Sequence, residues 1–411
     1  MKKKNKLLFI FSIIGPGLIT VNAGNDAGGI ATYVTVGASY GYKMLWGILV
    51  ITFSLAVIQE MNARMAVVTG KGLSDLIREN YGIRWSLFAM VILFIANLGV
   101  CVGDFAGIAA SLELFGITKY ITVPVIAFLV WFVITKGSYK KTERIFLAFT
   151  FIFFTYIITC FKVHPNWNEV LKATVTPTLE LNKNYILTFI GMIGTTITPY
   201  MQFYLQSSVV DKGLNIKDYK YEKLDVYLGA LWGDLVSFFI IVCTAVTLFK
   251  AGIKVDSVNQ AALALKPLAG SYATILFAIG LLGASVLATM VIPLSTTYAI
   301  CESFGFESGL NNSYKEAPIF YGIFTFIIIF SSILVLIPNL SLVGIMLVTQ
   351  QIAGILCPVI LIFMVLLINK KELMGKHTNN GLQNIVVWIT VIFIVILSII
   401  LFVSPIIDKF L

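Results

Sequence analysis

One stretch near the N-terminus constrains the fold more than any other: GPGLITVNAGNDAGGIATY, residues 15–33. It begins and ends as apolar sequence of membrane length, but its centre, NAGNDAGG, surrounds Asp26 with glycines and asparagines. Glycine weakens an α-helix by about 1 kcal/mol per residue, and a carboxylate in hydrocarbon costs at least about 2.5–3.5 kcal/mol. The stretch therefore predicts a membrane helix that unwinds near its middle and turns backbone carbonyls and one acid inward, as sites for small cations do.

The composition indicates a protein embedded in the bilayer. Of the 411 residues, 58% are hydrophobic and only 12% are charged, whereas a soluble domain has about 25% charged residues. No cleavable signal peptide is expected, because MKKKNK runs directly into the first apolar segment. The net charge of +9 is typical of lysine-rich cytoplasmic loops. We therefore expect a multi-pass protein of the cell membrane that does not bind nucleic acid.

Eleven apolar segments are long enough to cross a membrane, since a span needs about 20 residues. They lie near 10–36, 43–69, 85–114, 120–136, 143–163, 184–209, 224–249, 272–300, 316–337, 340–368 and 384–405. The longest polar connections, 164–183 and 210–223, are too short for a soluble domain. The sequence thus predicts an all-α polytopic membrane protein.

The basic residues predict the orientation. Most of the 29 lysines and arginines fall in segments that are cytoplasmic if the N-terminus is inside. The positive-inside rule therefore favours a cytoplasmic N-terminus. An odd number of spans then places the C-terminus outside the cell.

A second segment carries an interruption like the first. The sixth segment contains IGMIGTTITPYMQFYLQSS, in which Gly191, Gly194, three threonines and Pro199 fall near the middle. Proline removes a backbone donor and frees a carbonyl of the preceding turn. Interrupted segments at corresponding positions of two halves indicate an inverted-repeat transporter. We expect repeats at 1–163 and 184–368, with 384–405 as an additional helix.

Asp26 is the candidate charged ligand of a cation, because no basic residue lies in the centre of any predicted helix to pair with it. Hard divalent cations bind carboxylates, carbonyls and water. Further candidate donors at the first interruption are Asn22, Asn25 and the unwound carbonyls near Ala23 and Gly24.

The sixth segment offers the carbonyls near Thr195 and Thr196, and the hydroxyls of Thr195, Thr196 and Thr198. The alternative is that these threonines bond only their own helix backbone, as membrane threonines often do. Since Met201 lies beyond Pro199, we expect no sulfur or imidazole at either interruption. Oxygen donors alone favour magnesium-like or calcium-like ions over soft transition metals.

Four more polar residues lie inside predicted spans. Asp104 and Asp234 are candidates for a proton or water path, or for bonds to neighbouring helices. Gln350 and Gln351 are candidates for contact with the ion or its waters, or for packing against the first helix.

Other polar residues point to structure. Glu60, Asn62 and Arg64 are interpreted as an interior polar network. The five cysteines are scattered without a CxxC pair, and the two histidines lie in loops. Neither a thiolate metal site nor a zinc enzyme is supported.

Several stretches, in order, resemble the NRAMP family of divalent-metal transporters. They are GPGLITVNAGNDAGG, QEMNARMAVVTGKGLSDLIRE, ANLGVCVGDFAGIAASLELFG, IGTTITPYMQFYLQSS and LVTQQIAGILCPVILIFMVLLINKKELMG. The resemblance covers most of the chain. It implies a leucine-transporter-like fold of two inverted five-helix repeats plus an eleventh helix, with helices 1 and 6 broken.

The chain departs from the family at its ligand positions. The family's Asp-Pro-Gly-Asn keeps its aspartate as Asp26, but its asparagine ligand falls on Gly29. In the family's Met-Pro-His-Asn, the methionine falls on Thr198 and the histidine on Tyr200. The family's ligating carbonyl falls on Thr195. The methionine is the soft donor that helps the family favour manganese and iron.

The proton path also differs. The family's proton-path aspartate falls on Asp104, but the acid that follows it falls on Gly107. This pattern resembles the NRAMP-related magnesium transporters, a branch thought to bind a partly hydrated ion and to work without proton coupling. A wider site suits Mg²⁺, which gives up its waters reluctantly.

The sequence therefore predicts a transporter, not an enzyme, that imports a divalent cation by alternating access. Mg²⁺ is favoured and Mn²⁺ is the second choice. The metal is the transported substrate, no cofactor is expected, and a monomer is sufficient. Two other transporters remain open: a proton-coupled Mn²⁺/Fe²⁺ importer and a sodium-coupled solute symporter of the same fold. A membrane enzyme lacks support because no nucleophile–base pair is evident.

Overall fold

The computed structural model describes residues 16–136, 154–266, 270–310 and 312–410, and within these ranges the chain is helical without strands. The start of the predicted first segment, 10–15, and most of the predicted fifth, 143–153, lie outside the described residues. The described part therefore contains both predicted interruptions and the helices around them.

The helices follow one another along the chain with short connections. In order they are α1 (Pro16–Gly24), α2 (Ala27–Tyr40), α3 (Leu45–Thr69), α4 (Leu73–Glu113), α5 (Lys119–Lys136), α6 (Phe154–Lys162), α7 (Trp167–Val175), α8 (Lys183–Thr196), α9 (Pro199–Asp211), α10 (Tyr219–Thr244), α11 (Val258–Ala262), α12 (Ala273–Phe304), α13 (Pro318–Leu336), α14 (Leu342–Ile368), α15 (Lys371–Met374) and α16 (Gly381–Phe410).

The first and sixth predicted spans are each broken into two helices. The first span consists of α1 and α2, separated at Asn25 and Asp26, and the sixth consists of α8 and α9, separated at Ile197 and Thr198. Each half has 9 to 14 residues, too few to cross a bilayer alone. The two predicted interruptions are thus confirmed.

In the described ranges, eight helices are long and apolar enough to cross a membrane by themselves. The two broken spans and the partly described fifth segment account for the remaining three predicted spans. Many large apolar side chains on these helices are exposed, such as Phe53, Phe128 and Ile389, as expected where helices face lipid. The prediction of a polytopic all-α protein is confirmed.

The structure adds helical segments outside the predicted spans. A helical segment from Leu73 precedes the third span and is separated from it at Gly82, whose φ of 78° and ψ of 176° are not helical, so the span itself starts close to the predicted residue 85. The seventh begins at Tyr219, not 224, and ends in a π-helix, Ala245–Phe249. The connection 164–183 contains the short helix α7. The polar residues Tyr219–Lys223 extend the seventh helix ahead of the apolar sequence from which its start was predicted.

The helices α8 and α14 pack backbone against backbone. A Cβ atom placed on Gly194 would lie 2.1 Å from the carbonyl oxygen of Gln350 and 2.5 Å from the amide nitrogen of Gly354. A Cβ on Gly354 would in turn lie 2.4 Å from the carbonyl oxygen of Ile190. Only glycine permits this approach, which holds α14 directly beside the sixth-span break.

The predicted interior network around Glu60 and Arg64 is present. The Arg64 Nε atom lies 3.3 Å from Glu60 Oε1, and the Tyr219 hydroxyl donates to the same carboxylate. The Gln383 amide donates to Glu60 Oε2 at 2.9 Å. Asn62, which lies between Glu60 and Arg64 in the sequence, donates to Gln202 of α9. This network ties α3 to α9, α10 and α16 and leaves the first break free of charged partners from α3.

Replacing Gly194 by alanine should destabilise the protein by about 1–3 kcal/mol, because the new methyl group meets backbone atoms that cannot rotate away. Thermal unfolding of the purified protein in detergent measures this. Gly322→Ala is the matched control, since a Cβ there meets nothing within 4 Å. An unchanged unfolding temperature in Gly194→Ala would contradict the packing described.

Candidate cation site at two helix breaks

Asp26 begins α2 and lies at the centre of the first break. It is the N-cap residue of α2, with φ −72° and ψ −175°, and its Oδ1 accepts the Gly29 N–H at 2.5 Å. The side-chain amide of Gln350 donates to both carboxylate oxygens, at 3.0 and 2.9 Å. A helix N-terminus favours negative charge. These contacts favour the ionised form of Asp26, which is only 2% exposed.

The break frees carbonyl groups at the end of α1. In a continuous helix the Ala27 N–H would donate to the carbonyl of Ala23; here it donates to Asp104 Oδ1 at 3.2 Å. The Gly24 carbonyl accepts the Thr195 hydroxyl at 3.3 Å. The negative end of α1 is thus turned toward the sixth span, which suits a cation.

The sixth-span break has Thr198 as N-cap and Pro199 at the first helical position of α9, where its missing N–H costs nothing. The Thr198 hydroxyl donates to the carbonyls of Gly194 and Thr195, each at 2.9 Å. Of the two alternatives for Thr198, facing the ion or bonding its own backbone, the structure shows the bonds to the backbone.

Side chains connect the two breaks. A Cβ on Gly24 would lie 3.6 Å from the Thr195 carbonyl oxygen and 3.7 Å from the Tyr200 hydroxyl. Tyr200 donates to the carbonyl of Thr20 on α1 at 3.0 Å. The first and sixth breaks therefore face each other across a few ångströms, as their predicted roles in one site require.

The prediction that both breaks lack sulfur is wrong. A Cβ on Gly24 would lie only 2.0 Å from the Met201 methyl carbon, so this methionine fills the space that the glycine leaves. The Cys357 thiol donates to the carbonyl of Ile197 at 3.0 Å. Met201 is the third residue of α9, and the packing of α9 places its side chain against the first span, which sequence distance alone did not indicate.

Asn25 is bonded to α10. Its Oδ1 accepts the Ser237 hydroxyl at 3.2 Å, and its amide donates to the Gly233 carbonyl at 3.4 Å. Asp234, on the same helix, is 4% exposed. Asn25 and Asp234 thus belong to a polar seam between the first span and α10.

Tyr33 closes the opposite side of the site. Its hydroxyl shares a hydrogen bond of 2.9 Å with Thr196 on α8, and Thr196 also donates to its own helix backbone at 2.7 Å. Tyr33 and Ser237 were not among the predicted site residues. The signal for Tyr33 was its position in the opening stretch, seven residues after Asp26 and therefore two turns along α2.

The acid Asp104 lies on α4, fully buried behind the start of α2. Its Oδ1 accepts the N–H of Ala27, the residue that follows Asp26. The family's following acid falls on Gly107, where a Cβ would lie 2.2 Å from the Ala27 methyl and 2.5 Å from the Ser285 hydroxyl. The structure has no room for a second acid at that position.

The two adjacent glutamines of α14 differ in their contacts. Gln350 bonds Asp26, and its amide oxygen is buried without a hydrogen-bond partner among the described residues. Gln351 lies beside Gly191, with its Cγ 3.5 Å from the position of a Cβ there. The side chain of Asn22, a predicted ligand, lies outside the described residues.

The donors around Asp26 are mainly oxygens from a carboxylate, an amide, carbonyls and hydroxyls. Within the described ranges, no group of three or more histidines, cysteines or acids is placed to hold a metal ion. Asp26, Thr195 and Thr198 are each at most 2% exposed. The arrangement offers one charged ligand in a site closed to solvent.

Comparison with known proteins shows the family to which the chain belongs. The model of the family described as natural resistance-associated macrophage protein-like (NRAMP) matches residues 17–404. The chain belongs to the NRAMP family. Its members are divalent-metal transporters, so the protein is a membrane transporter and not an enzyme.

Two relatives and one solved structure illustrate the similarity. The divalent metal cation transporter MntH of Erwinia tasmaniensis is 30% identical over 290 residues, covering 68% of this chain and 70% of the relative. MntH of Bacillus subtilis is 24% identical over 407 residues, covering 96% and 92%. A crystal structure of the Eremococcus coleocola manganese transporter has a TM-score of 0.81 at 18% identity, covering 97% and 87%. The predicted leucine-transporter-like fold of NRAMP proteins is confirmed.

Replacing Gly29 by alanine should weaken divalent-ion binding by roughly tenfold, a loss of about 1.4 kcal/mol. The new Cβ would lie 2.6 Å from the Thr195 hydroxyl and 2.9 Å from the Gly24 carbonyl oxygen, so it would push the two breaks apart. Calorimetric titration with Mn²⁺ measures the change. Gly191→Ala is the control, because its nearest contact would be an ordinary 3.5 Å; equal affinities in the two variants would contradict this geometry.

Proposed function

We propose that this NRAMP protein imports a divalent cation, Mg²⁺ in preference to Mn²⁺, by alternating access and without strict proton coupling. The observation that carries the proposal is the Asp26 carboxylate, held between two helix breaks and surrounded mainly by oxygen donors. Membership of the NRAMP family favours a metal ion over an organic solute as the cargo.

The ligand set in this proposal follows from the contacts of the two breaks. Asp26 supplies the charge, while the carbonyls of Ala23 and Gly24 and the amide oxygen of Gln350 supply neutral oxygens. Thr195 contributes its carbonyl or its hydroxyl. Hard divalent ions favour such oxygen donors.

Other candidates act through water in this proposal. Thr196, Thr198 and Tyr200 have hydroxyls at the breaks that already bond backbone or a neighbouring side chain. Gln351 faces α8 and therefore contacts at most the waters of the ion. A partly hydrated Mg²⁺ needs space, and the small residue Gly29 stands where the family has an asparagine. Mg²⁺ usually keeps several waters in its sites, so the loss of a direct ligand is tolerable.

The proposed absence of strict proton coupling rests first on two residues of α4. Asp104 accepts a backbone N–H, and its following partner acid is replaced by Gly107. The family's histidine is replaced by Tyr200, which bonds Thr20. The membrane potential supplies a driving force without protons, about 4.6 kcal/mol for two charges moving through 100 mV.

We also propose the topology predicted from the charges, with a cytoplasmic N-terminus and an extracellular C-terminus. The five-helix repeats would span 1–163 and 184–368, followed by 384–405. In this orientation α1 and α9 form the inner halves of the broken spans, and α2 and α8 the outer halves.

Uptake into proteoliposomes tests the proposal. The wild-type protein should take up Mg²⁺ under an inside-negative potential without acidifying the vesicle interior, and Asp26→Ala should abolish uptake because the site loses its charge. Asp256→Ala, at an exposed acid, is the matched control and should transport normally. Uptake near the wild-type level in Asp26→Ala would remove Asp26 from the site, and coupled acidification would refute uncoupled transport.

A second candidate, a Mn²⁺ importer, is favoured by Met201, whose methyl group lies against Gly24. A thioether beside the break is a soft ligand that prefers Mn²⁺ over Mg²⁺. Under the magnesium proposal this side chain only fills space.

Met201→Leu separates these candidates, because leucine keeps the volume and removes the sulfur. If Met201 only fills space, the ability of Mn²⁺ to compete with Mg²⁺ uptake should change by less than about twofold, well under the roughly tenfold that 1.4 kcal/mol represents. A marked loss of Mn²⁺ competition would instead support the Mn²⁺ importer. Met192→Leu, on α8, is a control methionine.

A further inference from the structure

The connection between α7 and α8, residues 176–182, lies across the turn that joins α2 to α3. The Thr178 hydroxyl donates to the Lys43 carbonyl of that turn at 2.6 Å. The Thr178 carbonyl accepts the Trp46 indole N–H at 2.9 Å and the Tyr185 hydroxyl at 2.5 Å. One residue therefore bonds the turn, the start of α3 and the start of α8 at once. We call 176–182 the strap.

An ion pair gives the strap a second attachment. Lys43 Nζ lies 2.6 Å from Glu180 Oε1, and the Lys43 ammonium holds the pKa of Glu180 below its usual range. Asn182 donates to the other oxygen of Glu180 at 2.9 Å, and it caps α8 by accepting the Tyr185 N–H at 2.8 Å. Because both members of the ion pair are partly exposed, it contributes little stability. The hydrogen bonds of Thr178 are therefore the main attachment.

Aromatic side chains pack beneath the strap. The Tyr185 ring meets the Tyr40 ring, at the end of α2, edge to face with 5.2 Å between the centroids. The Trp46 ring stacks on Phe189 of α8 at 5.3 Å. A Cβ on Gly47 would lie 2.7 Å from the Phe189 ring, so α3 and α8 approach closely. The first turns of α8 are thus packed against the end of α2 and the start of α3.

The two half-helices that meet under the strap, α2 and α8, both reach the cation site. Near the breaks they are joined by the hydrogen bond of 2.9 Å between Tyr33 and Thr196, and at their far ends by the strap. Since α8 has 14 residues, it is about 21 Å long, and the two attachments are well separated. Two helices that are fixed to each other at two separated points resist both sliding and splaying.

We propose that the strap couples α2 and α8 into one unit that stays joined throughout the transport cycle. Access to the site from this end of the membrane then opens without separating α2 from α8. The part in access rests on the proposed function, in which this end is extracellular. The coupling of the two half-helices does not.

Spin labels on the two half-helices test the coupling without any need for transport. The labels are placed by Ser39→Cys, on the last turn of α2, and Asn184→Cys, on the first turn of α8, both at exposed residues. Dipolar broadening in the electron paramagnetic resonance spectrum of the full-length protein reports their separation. Thr178→Val/Tyr185→Phe removes two hydrogen bonds of the strap and should reduce the broadening markedly.

The matched control carries the same two substitutions outside the strap, Thr188→Val/Tyr120→Phe. The Thr188 hydroxyl bonds only its own helix at 2.8 Å, and Tyr120 is exposed. This control should keep the wild-type broadening. Equal broadening in the two double variants would overturn the coupling, provided that their unfolding temperatures show both to be folded.

A covalent cross-link tests whether the strap stays joined during transport. Lys43→Cys/Glu180→Cys is joined by a short, reducible bis-methanethiosulfonate reagent, with the reagent on the wild-type protein, whose described cysteines are buried, as control. Mg²⁺ uptake into proteoliposomes should be the same before and after cross-linking. A block that a reductant reverses would show that the strap opens as a lid and would overturn the proposal. Failure of the wild-type protein to take up Mg²⁺ would refute the proposed function instead, while the spin labels still decide the coupling.

Discussion

The burial of one negative charge at the middle of the membrane is the constraint on which the site depends. Asp26 is nearly inaccessible to water, yet it is stabilised by the Gly29 N–H, by the amide of Gln350 and by the positive end of α2. The Gly29 N–H and the positive end of α2 are available to Asp26 because the first helix is broken at this residue. The break also turns the carbonyl end of α1 toward the sixth span, so the stabilisation of the buried acid and the geometry of the proposed cation site have the same structural origin.

Glycines set the distances on which this arrangement relies. Gly194 and Gly354 bring α8 and α14 into backbone contact, which carries Gln350 to within hydrogen-bonding distance of Asp26. Gly28 permits the same glutamine to cross α2, since a Cβ there would lie 2.2 Å from its amide nitrogen. Gly107 lets the start of α2 pack on α4. These positions explain why glycines occur within spans where they weaken the helix itself.

Much of the fold was predictable from sequence because its signals are local. The apolar segments, the glycines around Asp26 and the proline of the sixth span each indicate structure within about 20 residues. The site was predictable only in part. That Gln350 and not Gln351 contacts Asp26 depends on the rotation of α14, and the return of Met201 to Gly24 depends on how α9 packs. Neither packing arrangement leaves a periodic or compositional signal. The same holds for Asn25, whose amide is bonded to α10.

The contacts between the two breaks differ in kind from the contact between α8 and α14. Four pairs of residues join the first span to α8, α9 and α14 through side-chain hydrogen bonds: Gln350 to Asp26, Thr195 to Gly24, Tyr200 to Thr20 and Tyr33 with Thr196. The contact of α8 with α14, by contrast, is made by backbone. The protein therefore has an interface through the proposed cation site at which these side-chain hydrogen bonds, of about 1 kcal/mol each, can be exchanged while the helices on either side keep their internal hydrogen bonds.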